Sequence, residues 1–276
     1  MNKVAFMSMD VESYFDTSCL KNKKIDRSSK YNCAEEILNY VNFLNKHNIK
    51  GTFFVVADFI KDAKPFLLEA IKSGHEIAVH ALHHQSYKKM SKEDFKREIS
   101  EAVELIKKEL GVTPVGFRFP RFEYRRELFD VLKELGFLYD SSVIKAHKKK
   151  YQRIKDFIFF KDGLYEFSPN HLNTPFKTVL VSGGGFYRFL RGKQIISLLK
   201  KHVKKHDTFM IYFHPFEIHK GYLPVPWNIF WVQKRYLKHN RDIYLDSLDK
   251  IVNYLKDNGY EFSNMKEYAL KLQNDK

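Results

Sequence analysis

The chain has 276 residues, 44% of them hydrophobic and 16% aromatic, enough apolar surface to bury a core and to exclude global disorder. Its 48 Lys and Arg against 33 Asp and Glu give a net charge of +15. That balance excludes an acidic solvating protein and favours anionic partners such as nucleic acid, acidic headgroups or an acidic substrate.

The stretch Met1–Phe15 carries no signal-peptide pattern, and no apolar run reaches the ~18 residues of a membrane span, so the expected compartment is the cytoplasm. Lys3–Met9 reads as a buried strand. Cys33–His47 has helical apolar spacing, and Gly51–Val56 is a β-rich run. Cys19 and Cys33 are too few for a disulfide framework and lack the spacing of a zinc site, so they read as reduced thiols. Pro65–Ser73 reads as a helix with Pro in its first turn, closed by Gly74, and Glu76–Val79 as a strand. Ser91 caps a long helix bearing Phe95, Ile99, Val103, Ile106 and Leu110, which Gly111 ends.

Val115–Phe119 is the next strand, Glu127–Leu135 a helix and Phe137–Asp140 a strand. Lys145–Lys155 reads as a basic, solvated loop. Leu164–Phe167 and Thr178–Val181 are short strands, and Ser182–Phe186 is a flexible glycine turn without phosphate-loop context. Gln194–His202 is a helix, and Thr208–Phe213 is an apolar strand ending at His214. Helices at Leu245–Asn258 and Lys266–Leu272 follow. Alternating strands and helices imply an α/β fold with a largely parallel sheet. With no linker or repeat, residues 1–276 read as one domain with a helical extension from about residue 220.

Four polar clusters fall at or just after strand ends, where parallel α/β folds bind ligands. Asp10 and Glu12 share one face of an extended segment, and two adjacent carboxylates call for a cation or a proton. The bland reading is a solvated acidic loop. His80 and His84 would meet one metal if they lay on one helical turn, although His-rich loops are often merely polar. His83 should point away, and His75 reads as structural. Arg118 would hold a carboxylate ionised or form a structural ion pair. His214 is a core histidine or a catalytic acid. Together they hold the inventory for metal-assisted hydrolysis of an amide or ester.

Five segments, in order, resemble the polysaccharide deacetylase (NodB-homology) family. They are Ser8-Met-Asp-Val-Glu-Ser-Tyr-Phe, Gly74-His-Glu-Ile-Ala-Val-His-Ala-Leu-His-His, Gly116-Phe-Arg-Phe-Pro, Leu135-Gly-Phe-Leu-Tyr-Asp-Ser-Ser and Tyr212-Phe-His-Pro-Phe-Glu. The Asp-Val-Glu motif and Ser182-Gly-Gly-Gly-Phe-Tyr-Arg are similar to the branch associated with bacterial exopolysaccharide synthesis. The resemblance implies a distorted (β/α) barrel of about seven strands and metal-dependent removal of acetyl groups from N-acetylated sugars. It implies Asp10 as catalytic base, Glu12, His80 and His84 as ligands of a divalent metal, zinc first, and Arg118 as the residue orienting the base. It further implies His214 as general acid tuned by Asp140, with Pro120 and the Arg121 N–H near the oxyanion and Gly184 and Gly185 shaping a substrate loop.

The expected partner is an N-acetylated saccharide, phosphate- or lipid-linked, and not nucleic acid. Trp227, Phe230 and Trp231 either meet an anionic membrane surface or pack on the barrel. Two alternatives stand beside this reading: a related amidohydrolase acting on a small cyclic amide, and a basic, non-catalytic binding domain.

Overall fold

The computed structural model describes residues 2–21, 23–144, 152–161, 163–173 and 178–275. The strands are β1 (Lys3–Val11), β2 (Thr52–Val56), β3 (Glu76–Ala81), β4 (Gly116–Phe117), β5 (Tyr139–Asp140), β6 (Gln152–Lys155), β7 (Ile158–Lys161), β8 (Leu164–Phe167), β9 (His171–Asn173), β10 (Thr178–Leu180), β11 (Thr208–Phe213) and β12 (Tyr260–Phe262). The helices are α1 (Glu36–Lys46), α2 (Ile60–Lys72), α3 (Lys92–Leu110), α4 (Phe129–Glu134), α5 (Gly184–Arg188), α6 (Gly192–Val203), α7 (Trp231–Lys238), α8 (Tyr244–Asp257) and α9 (Met265–Asn274).

Parallel pairing links β11-β1-β2-β3-β4-β5-β8, in agreement with the expected barrel of about seven strands. The gap between β8 and β11 is bridged by Asn170, whose side-chain oxygen accepts from Met210 N–H and whose amide donates to the Thr208 carbonyl. Ser182 continues the seam, its carbonyl accepting from Tyr212 N–H at 3.0 Å. The sheet is thus a nearly closed barrel.

Strand parity decides what the barrel holds. On β1, Ala5, Met7, Met9 and Val11 join the large core under the helices, while Val4 and Phe6 join a second core with Phe54, Ala78, Tyr139, Phe167 and Met210. Ser8, Asp10 and Glu12 continue the inner row. The inner row of β3 runs Glu76, Ala78, His80, and that of β11 runs Met210, Tyr212, His214. At the amino ends of the strands, Glu76 accepts from Tyr139 Oη (2.7 Å), Thr52 Oγ1 (2.8 Å) and the Lys266 N–H that opens α9. The floor of the barrel is therefore sealed. Polar residues of the inner row at the other end have only a cleft to face.

Gly116 lies on this inner row, where a Cβ would come within 2.0 Å of the Tyr139 ring. Gly116→Ala is expected to lower stability by about 1–3 kcal/mol through overpacking, read from the urea midpoint. An unchanged midpoint would show that Tyr139 yields freely.

Several boundaries differ from expectation. α2 begins at Ile60, so Pro65 lies inside it. Pro65 is on the exposed face of the helix, away from the core. Of the basic stretch 145–155, residues 145–151 lie outside the described residues. Gln152–Lys155 is a strand in an antiparallel hairpin with β7. The glycine run is no free turn: Gly183 bridges to Tyr212, and α5 starts at Gly184. The part after residue 220 is not purely helical, since β12 pairs with β1.

Candidate active site

A cleft of about 660 Å³ opens at the carboxyl ends of the strands, lined in part by Asp10, Glu12, His80, His84, Arg121 and His214. The volume suits a small ligand or a sugar unit. Asp10 and Glu12 are both buried where β1 runs out. His80 ends the inner row of β3. His84 follows in a bend rather than on a helical turn, so the two imidazoles converge because the chain folds back after Ala81. Their ring centroids are 5.5 Å apart. His83 points away, exposed and paired with Asp58, and His75 accepts from Gly51 N–H.

The donor set fits a cation. Glu12 Oε2 lies 2.8 Å from His84 Nε2 and 3.7 Å from His80 Nε2, yet it is a buried oxygen without a hydrogen bond of acceptable geometry. His80 Nδ1 is 2.8 Å from the Arg118 carbonyl. A carbonyl only accepts, so Nδ1 carries a proton, and Nε2 is the ring nitrogen turned toward Glu12. One ligand atom from each of Glu12, His80 and His84 falls within 4.8 Å of the others. Burial pushes the Glu12 carboxyl up, but His84, His214 and His80 hold it well below the usual carboxylate range. Burial pushes His84 down, and Glu12 more than offsets that.

Arg118 is fully buried. Its Nη1 donates to Asp10 Oδ1 (2.5 Å) and Ser8 Oγ (3.2 Å). Nε and Nη2 donate to the Ser141 carbonyl and hydroxyl, and the guanidinium lies 3.9 Å from the Phe54 ring centroid. Asp10 is thereby fixed with one oxygen committed to Arg118. Pro120 is buried and starts a tight turn in which Arg121 and Phe122 adopt φ of 56° and 57°. Left-handed backbone at two successive non-glycine residues is strain of the kind found at functional sites.

His214 Nε2 stands 3.8 Å from Glu12 Oε1, and its Nδ1 is 3.4 Å from Glu217 Oε2. Burial pushes His214 down, but Glu12, Glu217 and Asp10 prevail and hold it up at about 9. Glu217 is itself held by Arg188 Nη2 at 3.0 Å, with both side chains buried. Asp140, the carboxylate expected to tune His214, lies elsewhere. It has the opposite parity to Tyr139 and Ser141, accepts from Ser142, and is in register with Glu166 of β8. Burial raises Asp140 to about 6; burial, then Asp140, hold Glu166 well above the usual range. The tuning position falls to Glu217. The motif His-Pro-Phe-Glu held a signal for it: three residues on, across a tight turn, a side chain comes back against the first.

Gly184 and Gly185 lie behind the cleft rather than along it. A Cβ on Gly184 would meet Glu217 Oε2 and Phe213 Cβ at 2.5 Å, and one on Gly185 would meet the Tyr236 ring at 2.5 Å. Arg188, in the same run, also escaped the sequence reading, its partner Glu217 being distant in sequence.

Fold and site define a class: barrel-like α/β proteins with a carboxylate and imidazole cluster at the strand ends. More narrowly, residues 31–139 match the polysaccharide deacetylase family model, and residues 141–269 match a domain of unknown function. His80, His84 and Arg118 lie in the first match and His214 in the second, while Asp10 and Glu12 precede both. Chitin deacetylase 1 of Cryptococcus neoformans is 35% identical over 80 residues, 29% of this chain and 17% of that protein. The chain spans 17 to 34% of the length of the curated relatives compared. A polysaccharide deacetylase structure from Mycobacterium smegmatis superposes with a TM-score of 0.67 at 15% identity, covering 100% of this chain and 92% of that one. A family 4 acetyl xylan esterase from Clostridium thermocellum, solved with a cobalt ion, gives 0.55 at 18% identity, covering 99% and 92%. Residues 31–139 are thus similar to polysaccharide deacetylases in sequence, and the chain as a whole shares their fold.

Proposed function

We propose that the chain is a metal-dependent deacetylase that removes an N-acetyl group from an amino sugar in a glycan or glycan precursor. The observation that carries this is the convergence of Glu12, His80 and His84 around one point, with a buried Glu12 oxygen lacking a hydrogen bond. Residues 1–276 act as one catalytic unit in this reading. Its support is that strands from both family matches share one sheet. The Asp-Val-Glu motif favours the exopolysaccharide-associated branch. Two imidazoles and a carboxylate suit zinc among divalent ions. The competing class, a basic binding domain, leaves a buried acid and imidazole cluster without a use.

A cation held by Glu12, His80 and His84 supplies Lewis acidity toward the acetyl carbonyl and a nearby water. Asp10, aimed by Arg118, takes a proton from that water as its oxygen bonds to the carbonyl carbon. The Arg121 N–H donates to the developing oxyanion. As the C–N bond breaks, His214 gives its proton to the departing amine, so the products are acetate and a free amino sugar. Arg121 Nε and Nη2 are buried at the cleft without a partner. This supports a substrate carrying an anionic group, such as a phosphate-linked sugar.

The test is acetate release from N-acetylglucosamine oligosaccharides, with metal content measured on the same samples. Chelation is expected to remove both metal and activity. Asp10→Asn should retain the metal and lose acetate release. Full release by Asp10→Asn would remove Asp10 from the role of base, and failure to take up zinc would remove the metal site.

A further inference from the structure

We propose that α7 and the loop before it form a ledge that seats the chain on an anionic lipid bilayer, with the mouth of the cleft at headgroup level. Four aromatic side chains in this stretch stand in solvent: Tyr222 (72% exposed), Trp227 (90%), Phe230 (79%) and Trp231 (72%). Trp227, Phe230 and Trp231 therefore do not pack on the barrel. The ledge is nonetheless firmly based. Leu223 and Leu237 are buried in a cluster with Tyr14, Phe15 and Phe216, and Tyr236 packs over Phe216 and Arg188. The aromatics are thus held outward by a fixed scaffold.

Charge selects the partner. Between Ile218 and Arg241 the sequence holds no Asp or Glu but five cations, Lys220, Lys234, Arg235, Lys238 and Arg241. The segment Lys21–Tyr31 borders the ledge through a Tyr31–Tyr222 ring contact at 6.0 Å and a Lys23 to Asn228 carbonyl bond at 3.2 Å. It adds Lys21, Lys24, Arg27 and Lys30 against a single acid, Asp26. Outward aromatics ringed by lysine and arginine match the chemistry of an anionic membrane interface. Aliphatic Val232 and Ile243 are also about half exposed. They favour acyl chains over a sugar-stacking platform, which needs flat rings only.

The same helix reaches the active site. Val232, Gln233 and Tyr236 line the cleft, and the Arg235 guanidinium sits 5.3 Å from the ring of Phe189, another cleft residue. A bilayer touching the ledge would therefore lie beside the cleft mouth, which suits a saccharide tethered to lipid.

Trp227 and Trp231 are the only two tryptophans in the chain, so intrinsic fluorescence reports on the ledge directly. The experiment adds vesicles of phosphatidylcholine, with and without phosphatidylglycerol, to the full chain. It follows tryptophan emission, iodide quenching and flotation. Only vesicles with phosphatidylglycerol should shift the emission to the blue, shield it from iodide and float the protein, and high salt should weaken all three. Phe230→Ser and the pair Lys234→Glu/Lys238→Glu should each weaken binding at least tenfold while leaving the circular dichroism spectrum unchanged. Unshifted emission at low salt would overturn the proposal whether or not any variant folds. So would a shift caused by chitooligosaccharides alone, or by protein concentration without vesicles. None of these readouts depends on acetate release, so the ledge and the deacetylase reading stand or fall separately.

Discussion

Arg118→Met is expected to lower stability by about 3–5 kcal/mol and to abolish acetate release even where the chain remains folded. The substitution removes the hydrogen bonds to Asp10, Ser8 and both oxygens of Ser141, and a weaker one to the Met210 sulfur. Its greater cost is electrostatic. Asp10 is 2% exposed, and without the guanidinium a buried carboxylate loses the cation hydrogen-bonded to it. Methionine fills much of the volume, so a cavity contributes little. The double variant Arg118→Met/Asp10→Asn separates the contributions: with the carboxylate gone, part of the stability should return while activity stays absent. Urea unfolding of the four members of this cycle is the measurement. A loss under about 1 kcal/mol for Arg118→Met would mean that the pair is no better than a surface ion pair.

The sequence exposes the parts of this site that obey strand parity. Asp10 and Glu12 are two apart on a strand whose other face is Ala5, Met7, Met9 and Val11, so once β1 is recognised they must share the inner row. His80 follows from the same rule on β3. Asp140 shows how sharply the rule cuts. It belongs to the right motif, but one residue separates the face that reaches Arg118, through Ser141, from the face that meets Glu166. Across β5 and β8 the two carboxylates stand in register, where like charges repel, so burial and mutual repulsion keep a proton on the pair.

What the sequence hides is carried by distant contacts or by weak local patterns. Gln152–Lys155 looks polar and loop-like because it is an edge strand, and edge strands carry charge for solubility. Nothing near Arg188 in sequence announces Glu217, 29 positions on, although that pair fixes the histidine of the cleft. The glycines of the Ser182 run look like a hinge. Their lack of side chains instead lets α5 approach Phe213, Glu217 and Tyr236.

Glu217→Gln is the second change with a large expected effect, and it has a pH signature. Glu217 accepts from Arg188 through Oε1 and from the His214 N–H through Oε2, which also faces His214 Nδ1. Arg188 holds its carboxyl below the usual range despite burial. Neutralising it leaves Arg188 buried without a counter-charge, a loss of about 3 kcal/mol. The effect on His214 has a definite sign. Its folded value, about 9, lies above the ordinary imidazole value. The stability that charged His214 contributes is therefore full below ~6.5 and fades as pH rises through about 9. In the proposed mechanism the same proton goes to the departing amine, so acetate release should decline on the alkaline side. With Glu217 neutral, one of the charges holding the proton is gone, and the alkaline limb should move to lower pH. A merely structural role would lower the rate at every pH and leave the limb in place. Glu217→Asp, which keeps the charge but shortens the reach, should restore part of the limb position, showing that Glu217 acts by positioning and charging His214 rather than by touching substrate.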